Sequence, residues 1–190
     1  MSFTRCFDGI NPHHQTRKVE CNSKVAVARA IMNEIFPSIV NKRSLIDSVV
    51  FNIGSNINQI SCGGFHTVIL EKGDEIISVA FIRIHGINFA EMPFICTREE
   101  YTSQGMCRLL LKGVESTCQD FGVKRLIIPA VPKLKRFWAN KFGFEPLQPS
   151  EAKEVRLMNM LTFHDTCIMK KTILKRNLDE RGSEMKMTRR

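Results

Sequence analysis

A mixed α/β domain is the fold class this chain predicts, and three features carry that expectation. Apolar, strand-like runs succeed one another between residues 65 and 96, with turn residues between them. A helical apolar stripe then occupies about Gln104–Gln119, and a short β-branched strand, Arg125–Pro129, comes directly after it. A meander followed by a strand–helix–strand unit calls for a sheet with both antiparallel and parallel neighbours.

The elements follow in order. Residues 1–23 lack periodicity and contain the turn cluster Asn11-Pro12-His13-His14, which predicts an irregular arm. Ser23 is placed as the N-cap of a helix over Lys24–Phe36, with Val25, Ala28, Ile31, Met32, Ile35 and Phe36 on one face and Pro37 beyond its end. Residues 39–53 suggest a second short helix and an extended piece at Val49–Ile53, and the Asn-, Ser- and Gly-rich stretch 52–64 reads as a loop. Phe65–Leu70 predicts a strand and Lys72-Gly73-Asp74 a turn. Ile76–Ile84 is so continuously apolar that burial on both faces is expected. A turn at 85–88 returns the chain into Phe89–Cys96. In the following helix Met106, Leu110, Val114 and Cys118 form a stripe, widened by Cys107, Leu111 and Phe121, and Gly122 is placed as its C-terminal cap. A helix over Lys133–Lys141 and a last strand over Val155–Phe163 complete the expected domain, 24–164.

Composition narrows the function classes. The chain has 190 residues, 43% apolar and 25% charged, as an ordinary globular domain does. Its apolar runs are strand-sized, so no transmembrane helix is expected, and no apolar stretch follows the first basic residues as in a signal peptide. Seven cysteines, with no C-x-x-C pair and no zinc-finger spacing to a histidine, predict reduced thiols and no metal site. Of the net charge of +9, residues 170–190 carry +5 and have no apolar pattern, so a basic disordered tail is expected over 165–190. No groove-reading motif accompanies that charge, and sequence-specific DNA binding is not expected.

Three features suggest chemistry. The turn 98–103 delivers the chain into a helix N-terminus, where free backbone N–H groups and Gly105 form a cradle for an anion such as pyrophosphate. Pro93 and Pro129 stand in the strands on either side of that helix. Neither can donate a ladder hydrogen bond, so the two strands either part into a wedge there or are merely bulged and ended. Glu91 is the one carboxylate in Phe89–Ile95; it faces solvent, or it is held in a cleft as a general base.

The run FAEMPFICTREEYTSQGMCRLLL, residues 89–111, resembles the core motif of GNAT acetyltransferases, above all the histone-acetyltransferase branch, with Glu91 standing 14 residues before Gly105. Residues 65–147, with GDEIISVAFIRIHG, AEMPFI, QGMCRLL and LIIPA, are similar to the C-terminal domain of plant PHD-finger/acetyltransferase proteins of the "increased DNA methylation" type. The resemblance implies the GNAT fold and an acetyl-CoA-dependent transfer to a lysine of a protein, histone-like, with Glu91 as base. It also implies thioester contacts along Phe94, Ile95, Cys96 and Thr97, and a pyrophosphate loop of Thr102, Ser103, Gln104, Gly105, Met106, Cys107 and Arg108. A nuclear location (otherwise cytoplasmic) and chromatin or transcription-complex partners belong to the same implication, with neither metal nor membrane. Thr102 and Cys107 depart from the family loop, and Ala139 stands where many relatives carry a proton-donating tyrosine. The alternative is therefore a weak or inactive acyl-CoA-binding or interaction module.

Overall fold

The computed structural model describes residues 2–6, 15–36, 40–52 and 62–173. In chain order the elements are β1 (Ser2–Cys6), α1 (Gln15–Ile35), α2 (Val40–Val50), β2 (Phe65–Lys72), β3 (Glu75–His85), β4 (Phe89–Thr97), α3 (Met106–Asp120), β5 (Arg125–Ala130), α4 (Lys135–Phe142), β6 (Glu145–Pro146), α5 (Pro149–Arg156) and β7 (Cys167–Thr172). The strands form one mixed sheet in the order β1-β2-β3-β4-β5-β7-β6. Among the described strands only β4 and β5 run parallel, and α3 is the crossover between them.

Both faces of the sheet are covered, and this explains the unbroken apolar sequence of β3, buried from Ile76 to Arg83. Its alternate residues serve two cores. Ala80 and Ile82 join Leu110, Val114, Leu126 and Trp138 beneath α3 and α4. Val79 and Phe81 join Ala28, Met32, Ile46 and Phe94 beneath α1 and α2. α3 ends as its sequence predicts: Gly122 takes a φ of 68°, its N–H donates to Gln119 O at 3.0 Å, and the Val123 N–H donates to Cys118 O at 2.8 Å.

The decisive feature is where β4 and β5 part. They pair at Phe89↔Arg125, Ala90↔Leu126 and Glu91↔Ile127, and no further. Beyond that point β4 stays with β3 as far as Thr97, and β5 stays with β7 as far as Ala130. Pro93 and Pro129 lie in the parted stretch. On the β3 side, Phe81 faces Phe94 and Arg83 faces Glu91, so Ile82 alone stands opposite Met92 and Pro93: a bulge that bends β4 away.

Several boundaries differ from expectation. The stretch 1–23 is not an irregular arm: residues 2–6 pair with β2 as the edge strand β1, and α1 begins at Gln15, so Ser23 lies inside the helix and is not its cap. No proline or glycine interrupts residues 15–23, and Glu20 pairs with Lys24 one turn on at 2.8 Å. Ile35 and Phe121, expected in apolar stripes, are 37% and 46% exposed. Val49 and Val50 are helical because α2 turns Ile46 and Val49 into the core, which overrides their β preference. The last strand is not at 155–163. Gln148 and Glu151 form a capping box, with the Gln148 N–H donating to Glu151 Oε2 at 3.0 Å, and Pro149 opens α5. The strand comes later, as β7, so the sheet runs past residue 164 into what reads as basic tail. Lys170 is buried there because its ammonium lies 2.7 Å from Glu151 and 3.3 Å from Glu145. Residues 174–190, and 53–61 of the expected loop, lie outside the described residues.

Leu110 is fully buried between α3 and the sheet. Leu110→Ala should lower stability by about 3 kcal/mol through lost burial and a residual cavity, read as a lower midpoint in urea unfolding.

Candidate active site

Beyond Glu91 the edge of β4 that faces β5 has no ladder partner, so main-chain groups of residues 92–97 line the gap. The side chains leave the gap in both directions. Phe94 and Cys96 turn toward α1 and α2, and Ile95 toward α3. Phe94 meets the rings of Phe36 and Phe163 edge-on at 5.8 and 5.5 Å. Thr97 accepts a 2.8 Å hydrogen bond from the Ser78 hydroxyl. Of this stretch it is therefore the backbone that is left for a ligand.

The gap opens toward the loop before α3. A 3-10 turn over Glu99–Tyr101 leads into Thr102, Ser103, Gln104 and Gly105, all four exposed. Ser103 and Gly105 take positive φ of 59° and 81°, which swings the backbone around the helix start. A Cβ at Gly105 would meet nothing, so its φ is what calls for glycine. The first helical bond of α3 runs from the Leu109 N–H to Gly105 O at 3.1 Å, leaving the N–H groups of Met106, Cys107 and Arg108 ahead of it.

The loop is held from outside. Glu75, at the start of β3, accepts from Arg98 at 3.1 Å and from the Tyr101 hydroxyl at 2.7 Å. That bond pushes the Tyr101 phenol above its ordinary pKa. Gln104 closes on Glu100 O at 2.7 Å. Parted strands ending at a pre-shaped anion cradle fit an extended ligand carrying amides and a pyrophosphate. Arg108 is aimed elsewhere: its guanidinium lies 5.6 Å from the ring centroid of Phe142 on α4.

Burial pushes the Cys107 thiol up, only partly offset by Arg108, and drives Cys96 up to about 12. Both stay protonated and neither is a poised nucleophile. Ala139 is packed against the core beneath α4 and Trp138 is part of that core, so neither supplies a proton.

Glu91 is 1% exposed, on the α1 side of β4. Its Oε1 accepts from Arg83 Nε at 2.5 Å and lies 2.9 Å from His85 Nε2, and its Oε2 accepts from the Leu161 N–H at 2.9 Å. Arg83 donates further to Asn159 O and, at 3.3 Å, to Gly63 O, and it stacks 4.5 Å from the Phe65 ring centroid. Sequence reasoning missed Arg83, His85 and the 159–161 backbone. A signal existed for the first: a hairpin that turns at 86–88 and sets His85 opposite Phe89 sets Arg83 opposite Glu91. Among the described residues no cluster of three or more His, Cys, Asp or Glu could hold a metal, and no helix is long and apolar enough to cross a membrane.

The fold defines the class: this is the GNAT acyltransferase fold. The structure aligns with Tetrahymena GCN5 at a TM-score of 0.68, with 15% identity over 92% of this chain and 97% of that one. It aligns with an aminoglycoside 6'-N-acetyltransferase complexed with coenzyme A at 0.59, with 12% identity over 93% and 99%. Within that fold the chain belongs to the family "Increased DNA methylation 1, C-terminal domain", whose model matches residues 36–172. It is 40% identical over 179 residues to Increased DNA methylation 1 of Arabidopsis thaliana, covering 90% of this chain but 15% of the relative.

The cysteine environment has a pH consequence. An unfolded thiol titrates near 9.0, whereas folded Cys96 holds its proton to about 12. Unfolding therefore releases a proton between those values, and stability falls as pH rises through them, with Cys62 and Cys107 acting in the same direction. Cys96→Ala should flatten that decline, measured by urea unfolding at a series of alkaline pH values.

Proposed function

We propose that this chain is an acetyl-CoA-dependent N-acetyltransferase acting on protein lysine, histone-like, by direct transfer. The observation that carries the reading is the parting of β4 and β5 at Glu91↔Ile127, opposite the positive-φ turn that opens α3. Bound acetyl-CoA supplies the activated acyl group as a thioester. Main-chain groups of Phe94–Thr97 would hold the pantetheine amides, and an N–H near Phe94–Cys96 would stabilise the negative charge that develops on the thioester oxygen. Backbone amides of Thr102–Arg108 would hold the pyrophosphate. Glu91 takes the proton from the acceptor nitrogen through water as the C–N bond forms and the C–S bond breaks, and solvent protonates the departing thiolate. The name of the Arabidopsis relative supports chromatin partners and a nuclear location for this chain too.

A second reading, a weak or inactive acyl-CoA-binding or interaction module, is favoured by the engagement of both Glu91 oxygens with Arg83, His85 and Leu161. One experiment separates the two: acetyl-CoA calorimetry on the wild type and Glu91→Gln, with histone H3 and H4 tail peptides then added and acetyl-lysine read by mass spectrometry. Glutamine keeps an acceptor oxygen for Arg83, and urea unfolding checks that the fold survives. The transferase reading expects equal cofactor affinity in both proteins and a loss of about 10²–10⁴ in turnover for Glu91→Gln. Binding without product from the wild type points to the module, and absence of binding overturns the cofactor slot.

A further inference from the structure

The carboxylate assigned as base is buried, and residues 157–163 are part of what covers it. Residues 157–163 connect α5 toward β7 and join neither a helix nor a strand ladder. Leu157, at their start, is 89% exposed, whereas Leu161 is 4% exposed and faces the α1-side core. Phe163 rests edge-on against Phe94. Two main-chain bonds hold the stretch across the sheet: Asn159 O accepts from Arg83 Nη2, and the Leu161 N–H donates to Glu91 Oε2. The strap is thus fastened to the proposed catalytic carboxylate and to the residue that holds that carboxylate.

Arg83 is suited to this double task. Its guanidinium has several donors fixed in one plane, and here they reach β4 through Glu91, the strap through Asn159 O and the β2 approach through Gly63 O. We infer that Arg83 is a positioning residue that latches residues 157–163 over Glu91, and that release of this strap opens the base to an acceptor amine. The inference rests on the reading of Glu91 as base. Its physical ground is local stability: the strap has no ladder bonds and is held by the packing of Met158, Met160, Leu161 and Phe163 and by the two hydrogen bonds, so it can open without unfolding the sheet. The groups facing Glu91 are the Arg83 guanidinium and the His85 imidazole, and the Cys62 thiol lies within electrostatic reach of Glu91 and Arg83.

The test uses the full chain and a readout that needs no acetyl transfer. A water-soluble carbodiimide with glycine ethyl ester labels accessible carboxylates, located by peptide mass spectrometry. In the wild type Glu91 should label about tenfold or more slowly than the exposed Glu99 and Glu100. Phe163→Ala removes the strap's aromatic anchor. Arg83→Lys keeps a cation for Glu91 and loses the fork that also reaches Asn159 and Gly63. Each should raise Glu91 labelling about tenfold and speed amide hydrogen exchange across 157–163, with acetyl-CoA affinity unchanged within about twofold. Phe163→Ala should also raise the transfer rate. Rapid labelling of wild-type Glu91 overturns the latch, as does protection that persists in both variants while exchange across the strap speeds up. If labelling follows the latch but no variant yields acetyl-lysine, the transferase reading fails and the latch stands. If the wild type yields product with labelling unaltered in the variants, only the latch fails.

Discussion

Arg83 and Glu91 face each other across β3 and β4 at 2.5 Å, both nearly inaccessible to water. Taking two such charges out of solvent costs several kcal/mol each unless the remaining donors and acceptors are also met. Here they are met by main chain from the residue 63 region and from 159–161, which ties together segments far apart in sequence. The pair also fixes register. A one-residue slip between β3 and β4 would send one charge to the opposite face, among the aliphatic side chains under α3. The bulge at Met92-Pro93 begins one residue further along, and the last β4–β5 pair falls at Glu91 itself. The gap therefore opens immediately beyond the ion pair.

Much of this was legible in the sequence, and the reasons are local. β2, β3, β4 and α3 are set by strong periodicity and by glycines that only a turn explains, so their boundaries fall within about two residues of expectation. The wedge was half legible: proline states its hydrogen-bonding deficit in the sequence, but the same two prolines also fit a bulge and a strand end, and the strand pairing decides between them. What was not legible depended on partners. β7 reads as a charged tail until Glu145 and Glu151 are seen to neutralise Lys170. α5 starts on a glutamine cap, a weaker signal than serine or aspartate. The environment of Glu91 was half legible: Arg83 stands opposite it once the hairpin register is drawn, but the reach of residues 159–161 is a tertiary fact that no local pattern encodes.

The loop before α3 is prepared in a similar manner. Its backbone takes two positive φ values, one at a serine, where the left-handed region is unfavourable for a side chain. Glu75 holds the loop through Arg98 and Tyr101, so the turn between β2 and β3 and the start of α3 are mechanically one unit. A ligand meeting this loop finds amides already oriented, which lowers the ordering cost of binding.

Because β4 keeps to β3 and β5 keeps to β7, the sheet is in effect two panels, β1–β4 and β5–β7–β6, joined along one short seam. Side-chain packing under α3 and α4 spans the seam, but over most of its length no main-chain bond does. A molecule that lies in the opening and bonds to both edges acts as a stitch, supplying the ladder the chain itself omits. Occupancy and rigidity are then linked: a molecule bonded to both edges would add main-chain bonds across a seam that side-chain packing already spans. The protein's resistance to heat should follow the concentration of whatever fills the seam.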